Sequence, residues 1–436
     1  MIRTIVAAFG LAGLAALAFG GMLVEAQAPP QPVPLQAPSV ANPTGQYEQP
    51  PIVNITQLLP PSAVSGPGFS VQPQVPTNGA MGQYEIVAKA SVFGNDAGTY
   101  YVESLDLLKI RLSEIPAIVQ LDKMSTSSLF ANALVSSAER PVAAAANMVM
   151  HPEDTVTGLP SGIGSFFDRV SYGAGQIMSA ATSSFGSGQA AGKTGMATAT
   201  ALGYEQIRRE LARKLHVDPY TSNPILTKKL NKAAWIMFSG RITVDAAMMA
   251  VPASVIISGV TFTNDLVYQT PKADLILLVQ NQLQNMGLSS VEIAAFATNT
   301  ALPLSLQVSA VKDLQALGDI QGCHAAAVAI GNVITEYQAR FLVSSLRMLV
   351  QWGQQQSPIT RIQNFGVLVG KDQNGTSIVP APIDYLSWTS RIAGFATDPT
   401  LRSMQNRVLL IPPRMTPLAQ QQLSANGWSV RSGSQP

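Results

Sequence analysis

A chain of 436 residues is long enough for two or three domains and a sizeable buried core, which excludes a stapled mini-protein. Charged residues make up 12% of it, against roughly a quarter in an average soluble protein. The net charge of +2 provides no global field for nucleic acid or for an acidic substrate, and Cys323, the one cysteine, has no partner for an internal disulfide.

At the N-terminus Arg3 supplies a positive charge ahead of residues 5–24, an uncharged stretch rich in Ala, Leu and Gly, which is the pattern of a secretory signal. Val24-Glu25-Ala26 places a cut after Ala26, so 1–26 reads as a signal peptide; left uncut, 5–24 reads as a membrane anchor. From 27 to 82 thirteen of the thirty prolines fall between Pro29 and Pro76, and Glu48 is the only charge. Proline locks φ and removes an amide donor, so this segment is predicted to be a disordered, polyproline-like tether interrupted by the apolar stretch 52–59.

Residues 83–356 read as a mainly helical body. Its start, 84–93 and 99–102 around Gly94-Asn95-Asp96-Ala97-Gly98, reads as a β-hairpin. Leu105, Leu108, Leu112, Ile115 and Val119 then recur at helical spacing, with Pro116 expected to kink their helix. Further helices are predicted at 125–139 and 141–150. The Gly, Ser and Ala content of 155–200 predicts a flexible connector around a short amphipathic helix. Within it Gly188-Gln189-Ala190-Ala191-Gly192-Lys193-Thr194 mimics a phosphate-binding loop, but Ser187 stands where the first glycine is required and no apolar strand precedes it.

A basic helix at 204–215 carries Arg208, Arg209, Arg213 and Lys214 and ends at Asp218-Pro219-Tyr220. Asn223 caps the next helix, Pro224 takes its first turn, and Lys228, Lys229 and Lys232 follow. These seven cations form the one candidate site, a patch for anionic lipid or a partner protein. The pairing of Val217-Asp218-Pro219-Tyr220 with Asn223-Pro224-Ile225-Leu226, and Trp235 downstream, resembles a set of exported bacterial proteins of unknown function. That resemblance implies export and brings no activity, cofactor or partner.

Residues 246–262 are seventeen uncharged residues broken by Pro252 and Gly259. They read as a buried central helix, the alternative being a hairpin that inserts into lipid beside the basic helices. Helices follow at 273–286, 290–297 and 304–317. One long helix is then predicted from the stripe Ala327, Ile330, Ile334, Tyr337, Phe341, Met348 and Trp352, with Glu336 and Arg340 paired one turn apart. Its stripe is core, with a self-association seam as the alternative. Residues 357–436 read as a small α/β unit with a disordered tail. It consists of a hairpin at 364–369 and 376–379, a helix at 385–396, a strand at 407–411, a helix at 417–425 and a strand at 428–430. Asp372, Asn374 and Gly375 lack the further acids of a calcium loop and read as a turn.

Chemistry-bearing residues are sparse. His151, His216 and His324 show no metal-ligand spacing, and Cys323 and His324, adjacent on a helix, point about 100° apart. No cofactor or metal is called for. The fold class expected is mainly α, a multi-helix body with an N-terminal β-hairpin and a small C-terminal α/β unit. The function expected is that of an exported, periplasmic or extracellular envelope component with a non-enzymatic structural or protein-interaction role. Its partner would be a protein or the cell envelope, not nucleic acid, with membrane contact through the N-terminal segment. The alternatives are a membrane-active protein using the basic helices and 246–262, and a hydrolase whose triad is scattered in sequence.

Overall fold

Proline in this chain acts as punctuation between short strands. The computed structural model describes residues 47–138, 195–249 and 265–433, together with the two-residue strand Val33–Pro34. The leader, the helix predicted at 141–150, the phosphate-loop mimic, His151 and most of 246–262 lie outside the described residues. The second half of the expected tether is folded. Ile52–Asn54 pairs antiparallel with Gln74–Pro76, burying Val53 and Val75 and leaving their neighbours outward. Ile55, Leu58, Val64, Phe69 and Val71 are buried beside them. Pro61 occupies the first turn of a short helix and Pro76 the end of a strand, positions where a missing amide is tolerated.

A four-stranded antiparallel sheet follows, in the order Ser65–Gly66, Phe69–Val71, Gln83–Ala88, Gly98–Glu103. The predicted hairpin is its last two strands, with Ile86 opposite Tyr100, and the link between them holds a helical turn at Ala90–Phe93. Ser104 accepts from the Leu107 amide and starts the helix Leu105–Ser125, which contains Pro116 and buries Leu105, Leu108, Leu112, Ile115, Ile118 and Leu121. This helix is covered by Pro224–Gly240, which also packs on Ser128–Ala138 and Gly195–Lys214. Sheet and helices share one apolar cluster.

A second cluster is built on a five-stranded sheet in the order Ser429–Ser432, Arg407–Ile411, Ser377–Pro380, Leu368–Asp372, Ile359–Asn364. The first three strands are mutually parallel and the last two antiparallel. Parallel neighbours need crossovers. These are the helices Ser390–Ala396, Pro399–Arg402 and Pro417–Ala425. Glu336–Gln355 lies against three of the strands, and the same cluster continues through Lys272–Asn285, Leu304–Leu317 and Cys323–Gly331. A small apolar void of about 20 Å³ sits between Phe341, Ile383, Leu386 and Leu409.

The mainly helical class is therefore wrong. Among the described residues there are sheets of two, four and five strands, besides the short pairing of Val33–Pro34 with Arg414–Met415, and each cluster is a sheet covered by helices. Strands of two to six residues show too few alternations to stand out in a sequence rich in alanine. Two helices also differ from expectation. The long helix is split into Cys323–Gly331 and Glu336–Gln355: Gly331 packs against Phe296, and the Thr335 hydroxyl, accepting from the Gln338 amide, caps a new start at Glu336. The helix at 385–396 begins only at Ser390, since the residues before it run extended between the two clusters.

Candidate functional site

Where the clusters meet, Glu114 is buried and a set of further charged side chains around it is partly buried. Leu105–Ser125 brings Arg111 and Glu114, the loop after Gly195–Lys214 brings Asp218, Thr221, Ser222 and Asn223, and Glu336–Gln355 brings Glu336 and Arg340. Arg111 contacts Glu114 at 3.1 Å and Glu336 at 2.8 Å. Arg340 donates twice to the Glu336 carboxylate, at 2.9 and 2.6 Å, and the Ser222 hydroxyl also donates to it. Glu114 accepts from the Thr221 hydroxyl and, at 2.8 Å, from the Asn223 amide. Asp218 accepts from the Tyr220 amide and from the Ser305 hydroxyl.

Burial pushes the Glu336 carboxyl up, but Arg340 and Arg111 outweigh it and hold the group below its ordinary range. Burial wins at Asp218, where it raises the carboxyl against the hydrogen bonds from Ser305 and Tyr220. The loop keeps its shape through its own chemistry: Asn223 caps Pro224–Gly240 by accepting from the Ile225 and Leu226 amides.

A second tie is the extended segment around Asp384. This carboxylate, fully buried, accepts from the Gly82 amide at 2.9 Å, the Tyr84 hydroxyl at 3.0 Å and the Leu105 amide at 2.8 Å. Burial pushes it up to about 6, with Asp106 adding to the rise, while the Gly82 and Leu105 amides and the Tyr84 hydroxyl oppose it. Glu48 fastens the same segment, accepting from the Trp388 amide and from the Thr416 hydroxyl. Sequence reasoning missed Arg111, Glu114, Asp384 and Glu48 as functional groups. The available signal was contextual: Asp384 is a lone charge between Ile383 and Tyr385, and Glu48 is the single charge of 27–82, whereas Arg111 and Glu114 carry no such mark.

The structure divides the seven predicted cations. Arg208 and Arg209 turn inward and are 7% and 6% exposed. Arg208 donates to Asn231 at 2.7 Å, and Arg209 to the Tyr268 carbonyl at 3.3 Å. Lys229 bridges Asp96 at 2.9 Å and Asp122 at 2.6 Å, and Lys214 meets Asp245 at 2.9 Å. Arg213, Lys228 and Lys232 remain on the surface. Tyr220 stands between the inward arginines, its hydroxyl pushed up to about 12 by burial and by Glu205, so it stays a hydrogen-bond donor at physiological pH.

The remaining predicted groups are separate. His324 lies 3.5 Å from Glu292, whose carboxylate also accepts from Ser289 in a capping box, and it does not reach Cys323 as a base would. Burial raises the Cys323 thiol, which donates to the Gly318 carbonyl. His216 is exposed, at the end of Gly195–Lys214 with φ of 55°. Asp372 accepts from the Asn374 and Thr376 amides and from the Trp352 indole, closing a turn. Among the described residues no group of His, Cys, Asp and Glu has the spacing to hold a metal ion, and no helix is long and apolar enough to cross a membrane. Compared with protein-family models, with curated proteins and with solved structures, the chain matches none.

Proposed function

We propose that this chain is an exported component of the cell envelope, periplasmic or extracellular, with a non-enzymatic structural or protein-interaction role. The observation that supports this reading is the junction. Arg111, Glu114, Glu336 and Arg340 are linked to one another and to Thr221, Ser222 and Asn223, and Asp218 beside them accepts from Ser305, an arrangement that holds two cores in one orientation. A body held in this way presents a fixed surface, which suits recognition of another macromolecule. The membrane-active reading has less support, because four of its seven cations are turned inward or paired with Asp96, Asp122 and Asp245.

Three measurements test the proposal. Fractionation of cells carrying a C-terminally tagged chain is expected to recover it outside the cytosol, and recovery of the intact chain in the cytosol overturns export. A photo-crosslinking residue at the exposed Tyr101 is expected to yield defined adducts in intact cells. Turnover of ester or peptide substrates by the purified chain overturns the non-enzymatic role in favour of a hydrolase.

A further inference from the structure

The outward amides and carbonyls of a sheet edge accept another strand, and proteins blunt such edges with shortness, proline, a bulge or a charge. Of the outer strands of the two larger sheets, three follow that rule. Ser65–Gly66 is two residues long, with Pro67 next in the chain. Ile359–Asn364 has a register shift between Ile359 and Arg361 and is bridged by Gln321. Ser429–Ser432 carries Arg431. Gly98–Glu103 does not follow it: its six residues pair in unbroken register with Gln83–Ala88 and include no proline, lysine or arginine.

The ladder fixes which groups of this strand face away from the sheet. The Ser104 amide bonds the Gly82 carbonyl, while the Glu85 carbonyl turns the other way and accepts from the Gln72 amide. Residues of an antiparallel ladder alternate between the two sides, so Thr99, Tyr101 and Glu103, in phase with Glu85, direct their amides and carbonyls outward. Tyr101 is 60% exposed. Tyr100, opposite the buried Ile86 on the core face, is still 36% exposed, so the helical cover stops short of this strand. The face that bears Tyr101 has opposite charges at its two ends. Glu85 and Glu103 lie toward one, and Lys89, extended and next after Ala88, continues the alternation at the other.

We propose that Gly98–Glu103 is a homodimer edge, to which the same strand of a second copy adds antiparallel about a two-fold axis at Tyr101. This names the partner in the protein-interaction role and rests on that reading. In this register Tyr101 meets Tyr101 of the second copy and Thr99 meets Glu103, so every outward amide of one strand meets an outward carbonyl of the other. Tyr100 falls beside Val102 of the second copy, which covers its exposed ring. The acidic end of each copy comes beside Lys89 of the other, and the two Glu103 carboxylates stand at opposite ends of the pairing. An unrelated extended segment satisfies the main chain without this reciprocal charge match. The contact is small, so a reversible dimer with a dissociation constant on the order of micromolar is expected.

Sedimentation equilibrium of the purified chain from about 1 to 200 µM is expected to show monomer and dimer in exchange. Tyr101→Pro removes the central outward amide, leaves the ladder to Gln83–Ala88 intact, and is expected to weaken association at least about tenfold. Tyr101→Lys keeps the backbone and sets two cations face to face; it is expected to act likewise, and replaces the proline variant if that fails to fold by circular dichroism. The register has its own readout. Mild oxidation of Tyr101→Cys is expected to yield a covalent dimer, since directly opposed residues lie within disulfide reach, whereas in Thr99→Cys the two thiols are four residues out of step. The wild-type chain, with Cys323 buried, is the control. A monomer at every concentration, a dimer that Tyr101→Lys leaves unchanged, or cross-linking of Thr99→Cys in preference to Tyr101→Cys overturns the proposal. In intact cells a Tyr101 adduct of two copies supports it, and an adduct with a different protein overturns it while leaving the interaction role standing.

Discussion

Glu114 accepts from Arg111, Thr221 and Asn223 with 2% of its side chain exposed, so its charge cannot be removed in isolation. Glu114→Gln leaves Arg111 short of a counter-charge and places an amide where Asn223 donates. It is expected to lower the unfolding free energy in urea by about 3–5 kcal/mol. A loss under about 1 kcal/mol, the value typical of a surface pair, would show that the junction is not dry. Asp384 and Glu336 respond to pH in opposite directions. In the unfolded chain an aspartate releases its proton near about 3.9. Asp384 titrates at about 6 in the fold, so its contribution is full below that unfolded value and is lost as pH rises through about 6. Glu336, held below its ordinary range, contributes above the unfolded value of about 4.3 and loses that contribution as pH falls. Carbon NMR of the Asp384 carboxyl is expected to show a midpoint near 6, and Tyr84→Phe, which removes a donor to the carboxylate, should move it upward. An unchanged or lower midpoint in that variant contradicts the assignment.

The contact between Cys323–Gly331 and the sheet depends on one glycine. Gly322 has φ of +101°, and a Cβ there would stand 1.9 Å from the Ile362 carbonyl oxygen. The Ile362 amide bonds the Gln321 carbonyl at 2.8 Å, so neither strand nor loop is free to yield. Gly322→Ala combines this clash with a left-handed conformation that by itself costs about 1–3 kcal/mol, and a drop of at least about 2 kcal/mol is expected from urea unfolding. The other sensitive element boundary is at Asn223. Asn223→Ala removes a helix cap worth about 1 kcal/mol and one donor to Glu114, so its cost should exceed that of a cap alone. Thermal melts of Asn223→Ala beside Asn223→Asp, which caps but cannot donate, separate the two contributions.

The two apolar clusters are tied at several places distant in sequence. Tyr385 belongs to the first cluster although its neighbours belong to the second, and Ala80, Met81 and Tyr220 belong to the second although their neighbours belong to the first. Arg414 donates to the Leu58 carbonyl at 3.2 Å, across 356 residues of chain. Such interlocking predicts one cooperative unfolding transition, with calorimetric and van't Hoff enthalpies equal. Two resolved transitions would mean that the junction and the extended segment around Asp384 contribute little.

Local chemistry was legible without a fold. The cap at Asn223, the Glu336–Arg340 pair, the hairpin near Ile86, the turn at Asp372 and the strand at 407–411 all rest on interactions within a few residues, and the structure has them where local rules put them. The folded state of 47–82, the break at Gly331, the inward turn of Arg208 and Arg209, and the partners of Glu48, Glu114 and Asp384 were not legible. Each depends on which distant surface arrives at the residue, and burial is a property of the pair rather than of either sequence. Val53 becomes core because Val75 and its sheet cover it, and Asp384 becomes a tie because the amides of Gly82 and Leu105 meet it. From the amino-acid order alone came the scarcity of charge, the exported look of the first residues and the local helix signals; which charges are buried, and against what, only the packing of remote segments decided, since desolvation acts on the assembled interior and leaves no mark on a short window of sequence.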